Sequence, residues 1–141
     1  MSEPCVLDAS ALIARLQEEP GWDEVDAALP NAVISVVNLA EVLQKAAERG
    51  IHPEVARDDI LSLGVQVVPL EEEDVLEIAR LYTQTHRQGL SLADRACLAL
   101  GRRTRFKVLH AEHRWQGLRV GVWRRHIRPR AGQPAEVEAP G

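Results

Sequence analysis

Four acidic residues occupy positions at which a parallel α/β protein could carry out chemistry. Asp8 directly follows one short apolar run, Glu112 follows another by three residues, and Glu41 and Asp94 lie in the predicted first turns of two helices. Carboxylates gathered at one edge of a sheet repel each other, so they must take up protons or bind a hard cation such as Mg²⁺ or Mn²⁺. A divalent ion held there could polarise a phosphate and activate a water, as phosphodiester hydrolysis requires.

Each acid, taken singly, also has a purely local explanation. Asp8 has the position of a helix N-cap, and Glu112 has that of a loop residue. The pairs Asn38–Glu41 and Ser91–Asp94 have the i, i+3 spacing of a capping box, and Glu41 could instead pair with Lys45 one turn later. The four positions together favour a shared site, because Glu41 lies off the apolar stripe of its helix.

Apolar runs alternating with amphipathic segments predict an α/β fold with a mainly parallel sheet of four or five strands and helices on both faces. Strands are predicted at 4–7, 32–37, 65–70, 106–109 and 118–123. Helices are predicted at 9–19, 22–29, 39–50, 53–63, 71–87 and 92–103. In such sheets, ligands bind at the carboxyl ends of the strands.

The composition is that of one globular domain, with 45% apolar and 27% charged residues in a chain of 141. We expect the domain to span residues 1–128. Beyond it, 129–141 are rich in Pro, Gly, Ala and Glu, which predicts a disordered tail. No apolar run is long enough to cross a membrane and no secretory leader is visible, which predicts a cytoplasmic protein. Cys5 and Cys97 lie in apolar runs and are predicted to be reduced core residues.

Charge is unevenly distributed along the sequence. Residues 1–101 contain 7 basic and 18 acidic residues, whereas residues 102–130 contain 10 basic residues and 1 acidic residue. The basic block could attract a polyanion, and the acidic part could hold a cation or a basic partner. The alternative is a solvated surface with uneven signs, since asymmetry along a sequence need not survive folding.

Three segments resemble the signature segments of PIN-domain nucleases, and most closely those of VapC-type toxins of bacterial type II toxin–antitoxin pairs. They are CVLDASALIA at 5–14, SVVNLAEVLQKA at 35–46 and GLSLADRACLALGRRTRFKVLHAEHRW at 89–115. The resemblance extends over about residues 5–123. It implies a three-layer α/β/α sandwich and a Mg²⁺- or Mn²⁺-dependent endoribonuclease, which forms a homodimer and is silenced by a cognate antitoxin.

The resemblance also implies roles for individual residues. Asp8, Glu41 and Asp94 match the three central metal-site acids of the family. Ser10 matches the small hydroxyl that supports the first acid, and Ser91 is expected to support Asp94 in the same way.

The last part of the pattern departs from the family. Where the family usually has Thr-Ala-Asp after its fourth strand, this chain has His110-Ala111-Glu112. Glu112 keeps a carboxylate on a longer side chain and remains the expected fourth catalytic and metal-binding acid. It is expected to help hold the metal ion, a second ion or the attacking water. The departure leaves open whether one or two metal ions bind and whether activity is reduced.

Basic residues near the acids are expected to contact RNA phosphates. Arg95 follows Asp94 directly, although an exposed helix arginine is an equal interpretation. The other candidates are Arg102, Arg103, Arg105 and Lys107, with Arg124 and Arg125 in addition.

Alternatives from other classes remain open. A PIN-fold protein that binds RNA or an antitoxin with weak or no catalysis would fit the departure at His110, and a housekeeping nuclease of RNA maturation would have the same site without an antitoxin. A zinc site using His110, His113 and Cys97 is a minor alternative, because no second close Cys/His pair accompanies them.

Overall fold

A computed structural model describes residues 3–139, and its strands and helices alternate as the sequence predicts. The strands are β1 (Cys5–Leu7), β2 (Ala32–Ser35), β3 (Gln66–Val68), β4 (Lys107–His110), β5 (Arg124–His126) and β6 (Glu136–Val137). The helices are α1 (Ala9–Leu16), α2 (Trp22–Ala28), α3 (Val36–Glu48), α4 (Pro53–Ser62), α5 (Glu72–Thr85) and α6 (Leu92–Thr104). None of the helices within 3–139 is long and apolar enough to span a bilayer.

All strands belong to one sheet in the order β3-β2-β1-β4-β5-β6. The first five are parallel, and only β6 runs antiparallel to its neighbour. The chain first builds outward from β1 to β2 and β3, and later returns to place β4 on the other side of β1. The strand order therefore reverses between β1 and β4, and a crevice is expected outside their carboxyl ends.

Two apolar clusters cover the two faces of the sheet. Alternate residues of a strand point to opposite faces, so Leu7 packs with α1 to α4 whereas Val6 packs with α5 and α6. The result is the predicted α/β/α sandwich of three layers. Cys5 and Cys97 are buried in these clusters and form no disulfide, which confirms their predicted role.

Besides small shifts at the ends of elements, three segments differ from the sequence prediction in the element that they form. Helix α3 begins at Val36, inside the predicted strand 32–37, because the Ser35 side chain caps the helix by accepting a hydrogen bond from the Val37 N–H at 3.1 Å. The predicted strand 118–123 is buried on alternate residues but forms no ladder. Its continuation, β5, pairs with β4 instead. Arg124 is tolerated there because its guanidinium donates to the Leu118 and Val122 carbonyls.

The predicted tail is the third difference, because part of it is ordered. Residues 136–137 form β6 on the open edge of β5. The Glu136 carboxylate accepts a hydrogen bond from the Trp123 indole at 2.6 Å and lies 3.6 Å from the Arg125 guanidinium. An edge strand carrying cations thus captures an acidic segment whose composition alone predicts disorder. Residues 140–141 of the predicted tail lie outside the described residues.

Helix α6 is the most deeply buried helix, with every residue from 96 to 101 inside the core. Gly101 allows it to lie directly against the sheet, since a Cβ there would lie 2.6 Å from a Val108 methyl carbon and 2.9 Å from one of Val122. This close packing fixes the position of the amino end of α6, which carries Asp94.

Gly101→Ala is therefore expected to lower the free energy of unfolding by about 1–3 kcal/mol through overpacking. An ordinary helical Gly→Ala change would instead raise it by about 0.5–1 kcal/mol. Urea unfolding decides the sign, with Ala40→Gly on the exposed face of α3 as a measure of the usual Ala–Gly difference in this protein. A Gly101→Ala protein that is more stable than the parent would show that the approach is not close.

Candidate active site

The four acids predicted from the sequence line one cleft at the carboxyl edge of the sheet. The cleft has a volume of about 230 Å³. Its walls include Asp8, Glu41, Asp94 and Glu112. The topology accounts for this convergence, because β1 and β4 are neighbours and Asp8 and Glu112 follow their carboxyl ends.

Asp8 caps helix α1 with one carboxylate oxygen and leaves the other without a partner. Its Oδ2 accepts hydrogen bonds from the backbone N–H of Ser10, at 3.1 Å, and from the Ser10 hydroxyl. Its Oδ1 is buried in the cleft wall and has no hydrogen-bond partner. Burial, reinforced by the charges of Asp94 and Glu41, raises the pKa of Asp8 from 3.8 to about 7. A buried carboxylate oxygen such as Asp8 Oδ1, which accepts no hydrogen bond, is available to bind a cation.

Ser10 fastens Asp8 to the neighbouring strand. Its hydroxyl donates to Asp8 and accepts the backbone N–H of Ala111 at 2.9 Å. A single side chain therefore joins the ends of β1 and β4, which places the loop that carries Glu112 beside Asp8.

Asp94 likewise has two tasks. It forms a capping box with Ser91, in which the Asp94 N–H donates to the Ser91 hydroxyl at 3.1 Å and Asp94 Oδ2 accepts the Ser91 N–H at 2.8 Å. The residue is 4% exposed and lines the cleft. The local explanation and the shared site are thus compatible, because a cap engages only one of the two oxygens.

Glu41 depends on a residue that the sequence analysis interpreted differently. Asn38 is not the cap of α3, which begins at Val36. Its amide instead donates to Glu41 Oε1 and to the Ala93 carbonyl, both at 3.0 Å. The fully buried Asn38 therefore ties Glu41 to the start of α6. Burial and the charges of Asp94 and Glu112 raise the pKa of Glu41.

Glu112 is held by Arg114, a residue that the sequence analysis did not select. The guanidinium donates to Glu112 Oε2 from Nε at 3.2 Å and from Nη2 at 3.1 Å. The same Nη2 lies 3.6 Å from Asp94 Oδ2, and Nη1 donates to the Gly89 carbonyl at 2.9 Å. A basic residue two positions after a predicted metal ligand is the only sequence signal that could have identified it.

The histidines near the cleft form a separate cluster. His126 Nε2 and His113 Nδ1 are 3.2 Å apart, and the His110 ring stacks on Trp115. Burial, His126 and Arg124 lower the pKa of His110 to about 3, so its imidazole is neutral. Burial raises the pKa of the Cys97 thiol well above its usual value. Because the imidazoles pair with each other and the thiol stays protonated in the core, the arrangement does not favour the zinc alternative.

Most of the basic residues expected to contact RNA lie away from the acids. Along α6, Arg102 is eight residues from Asp94, which corresponds to about 12 Å. Arg102, Arg103 and Lys107 are paired with Glu77, Asp74 and Glu136. Arg95 donates to the Thr85 hydroxyl and to the Leu90 carbonyl. Arg124 is buried, and Arg125 pairs with Glu24 and Glu136. Arg105 is exposed beside Arg102.

Three other cations line the cleft, namely Lys45, Arg114 and Arg128. They face five carboxylates, the four predicted acids and Glu19, which leaves a formal charge of −2. This charge, the all-oxygen donor set and the unpartnered Asp8 Oδ1 fit a hard dication. As the side chains stand, no three acidic, histidine or cysteine groups within 3–139 could hold one ion together. Binding would therefore require the half-buried Glu41 and Glu112 side chains to move inward.

Comparison with protein families assigns the fold. The model of the PIN domain matches residues 5–120, which include all four acids. The chain belongs to the PIN domain family. No curated protein matches the sequence.

Solved structures share this PIN fold at low sequence identity. A toxin–antitoxin complex from Klebsiella pneumoniae matches with a TM-score of 0.67 and 16% identity, over 82% of this chain and 93% of the other. VapC20 of Mycobacterium tuberculosis, a toxin that cleaves the sarcin–ricin loop, matches with a TM-score of 0.62 and 19% identity, over 74% and 86%. VapBC-1 of nontypeable Haemophilus influenzae matches with a TM-score of 0.57 and 22% identity, over 79% of this chain and 87% of the other.

Asp8 should make the metal-free PIN domain less stable as the pH rises. Its pKa is about 7 when folded and 3.8 in the reference state, so its protonated form is favoured by folding. The stabilisation is complete below pH 3.8 and is lost as the pH rises through 7. We expect Asp8→Asn to gain about 2–4 kcal/mol in free energy of unfolding relative to the parent between pH 4 and pH 8.

Urea unfolding in EDTA across this pH range measures the difference between the two proteins. Asp23→Asn, at the exposed start of α2, is the control for the removal of an exposed carboxylate. A difference for Asp8→Asn that does not change with pH would mean that Asp8 is adequately solvated or paired.

Proposed function

We propose that this PIN-domain protein is a Mg²⁺- or Mn²⁺-dependent endoribonuclease and the toxin of a type II toxin–antitoxin pair. The observation that carries the proposal is the buried, unpartnered Asp8 Oδ1 in a cleft with three further carboxylates. Such an arrangement is costly for the metal-free fold, and a dication would offset that cost. The similarity in fold to a toxin that cleaves the sarcin–ricin loop supports RNA as the substrate.

The side chains of the cleft would divide the work. Asp8, Asp94 and Glu41 would hold the ion, with Glu112 as a fourth ligand or as the group that orients the attacking water. When bound, a divalent ion would supply Lewis-acid chemistry to the phosphodiester and to the water. Ser10 and Ser91 keep the two aspartates in place through the bonds described above.

The substrate phosphates would enter between the cations at the cleft. Lys45 and Arg128 line it, and both could contact the backbone next to the scissile bond. Contact of RNA with Arg95, Arg102, Arg103, Arg105 or Lys107 stays a prediction. If it occurs, it would involve parts of the RNA further from the cut, because most of these residues lie at the other end of α6.

An antitoxin is the second expected partner, and a cytoplasmic location is part of the same proposal. The Klebsiella structure contains a toxin together with an antitoxin. A cleft with a formal charge of −2 would accept an arginine or lysine of such a protein, which would compete with the ion.

RNA cleavage tests the proposal directly. With Mn²⁺ or Mg²⁺, the protein should cut total tRNA or rRNA, and EDTA should stop it. Asp94→Asn should reduce cleavage more than about 100-fold, because loss of a ligand should exceed the 10- to 100-fold cost of losing an outer-shell partner.

Asp74→Asn is the matched control for this variant. Asp74 is also 4% exposed and also closes a capping box, that of α5, but it does not line the cleft. Equal activity of Asp94→Asn and Asp74→Asn would contradict the mechanism. RNA binding without cleavage in the parent protein would favour the binding-module alternative, which the absence of three converging ligands within 3–139 also supports.

We also propose a homodimer that uses an apolar groove at the start of α5 and α6. The groove is lined by Leu70, Val75, Ile78, Ala79, Tyr82 and Leu92, with Arg95 at its border. The Arg95 guanidinium lies over the Tyr82 ring at 5.0 Å, so even its charge is engaged within the chain. The same apolar surface on a second copy could cover it, since a two-fold interface uses one patch on both subunits.

Val75→Glu should convert the dimer to a monomer. A charge buried at the centre of an apolar interface costs far more than one left in water. Light scattering coupled to size-exclusion chromatography should report twice the chain mass of 15.6 kDa for the parent and the mass of one chain for the variant. Val55→Glu on α4 is the control, since Val55 is 52% exposed and Val75 is 53% exposed. A monomeric parent protein would refute the proposed interface.

A further inference from the structure

Among the described residues 3–139, Arg114 is the one basic side chain with ion pairs to two of the candidate metal ligands. Two N–H groups of its guanidinium donate to the same Glu112 oxygen, and the guanidinium approaches Asp94 to 3.6 Å. Its third anchor is the carbonyl of Gly89, which lies in the loop that leads into α6. The guanidinium therefore lies on the wall of the cleft between two acids, one in the loop after β4 and one in the first turn of α6.

This cation affects the repulsion between Glu112 and Asp94 and the direction of the Glu112 side chain. A guanidinium between two carboxylates lowers their mutual repulsion, so the metal-free cleft tolerates both. It also holds Glu112 by one oxygen and directs it toward Arg114 rather than toward Asp8.

We propose that Arg114 is a built-in counter-cation that occupies the Asp94–Glu112 side of the cleft and must leave when a divalent ion binds. This inference rests on the proposed metal-dependent function. Metal binding is then an exchange of one cation for another, and Arg114 weakens the apparent affinity of the protein for the ion. The site consequently fills only at divalent-ion concentrations high enough to displace the arginine.

The side chain has the properties that such an exchange requires. It is 51% exposed, so its contacts are those of a surface ion pair and can be broken at modest cost. It lies on a single turn, His113–Trp115, whose own anchor is the buried Trp115. The guanidinium can therefore swing toward solvent without disturbing the backbone that carries Glu112.

The test is the affinity for Mn²⁺, measured by titration calorimetry on the full chain after treatment with EDTA and its removal. Arg114→Gln removes the competing charge and should lower the Kd by about two- to fivefold, as expected when one exposed ion pair no longer has to be broken. The shift in melting temperature caused by saturating Mn²⁺ should also be larger in the variant, because its metal-free state retains the repulsion that Arg114 relieves.

Arg57→Gln is the matched control. Arg57 has the same 51% side-chain exposure and touches Asp58 through Nε and Nη2, both at 3.3 Å, but it does not line the cleft. Its substitution should leave the Kd unchanged. Arg114→Lys keeps the charge and loses the fork, and it should give an intermediate Kd, which preserves the test if Arg114→Gln does not fold.

The possible results separate this inference from the proposed function. Equal Mn²⁺ affinity in the parent and Arg114→Gln, or weaker binding in the variant, would overturn the exchange while leaving a metal-dependent nuclease intact. Absence of Mn²⁺ binding in both proteins would overturn the metal site itself and the exchange with it. Weaker or equal binding with a lower melting temperature in every condition would identify Arg114 as a purely structural link between the two loops.

Discussion

The repulsion among carboxylates at the ends of β1 and β4 is the constraint on which the site depends. The sheet order makes these two strands neighbours, and the chain ends each with an acid close to the last residue of the strand. Helix α6 brings Asp94 to the same edge because its buried surface fits closely against the sheet. A fold that concentrates negative charge in this way has to hold each acid firmly, since the acids would otherwise move apart.

The fold holds them with ordinary helix-end hydrogen bonds. Asp8 caps α1 and Asp94 closes a capping box with Ser91, and each cap leaves oxygen capacity for the cleft. Local stability and chemistry are therefore not alternatives in this protein. The hydrogen bonds that would make these residues purely structural are the ones that prevent them from turning into solvent.

Sequence reasoning could place Asp8, Glu41, Asp94 and Glu112 in one cleft because strand ends and helix starts are visible in local patterns. It could not identify Asn38 or Arg114. The role of Asn38 depends on contact between α3 and α6, because its amide donates to the carbonyl of Ala93, which is 55 residues away in the chain. Strand β5 was misplaced for a similar reason. Apolar alternation indicates correctly that 118–123 is buried. The segment that pairs with β4 is the next one, β5, in which the buried Arg124 donates hydrogen bonds to backbone carbonyls.

The distribution of charge shows most clearly how folding changes the meaning of a sequence. The block from 102 to 130 contains ten basic residues, yet most of those named as RNA contacts are engaged by acids from distant segments, such as Asp74, Glu77 and Glu136. Their positive charge is largely neutralised within the protein. Attraction for a polyanion near the acids must then come from the few cations that line the cleft, and one of these, Arg114, already neutralises part of the acidic charge. Because the same charges must compensate the acids, admit a metal ion and receive a phosphate, the three events compete with each other. The electrostatics of this small cleft, rather than the total charge of the basic block, should therefore determine when the protein acts.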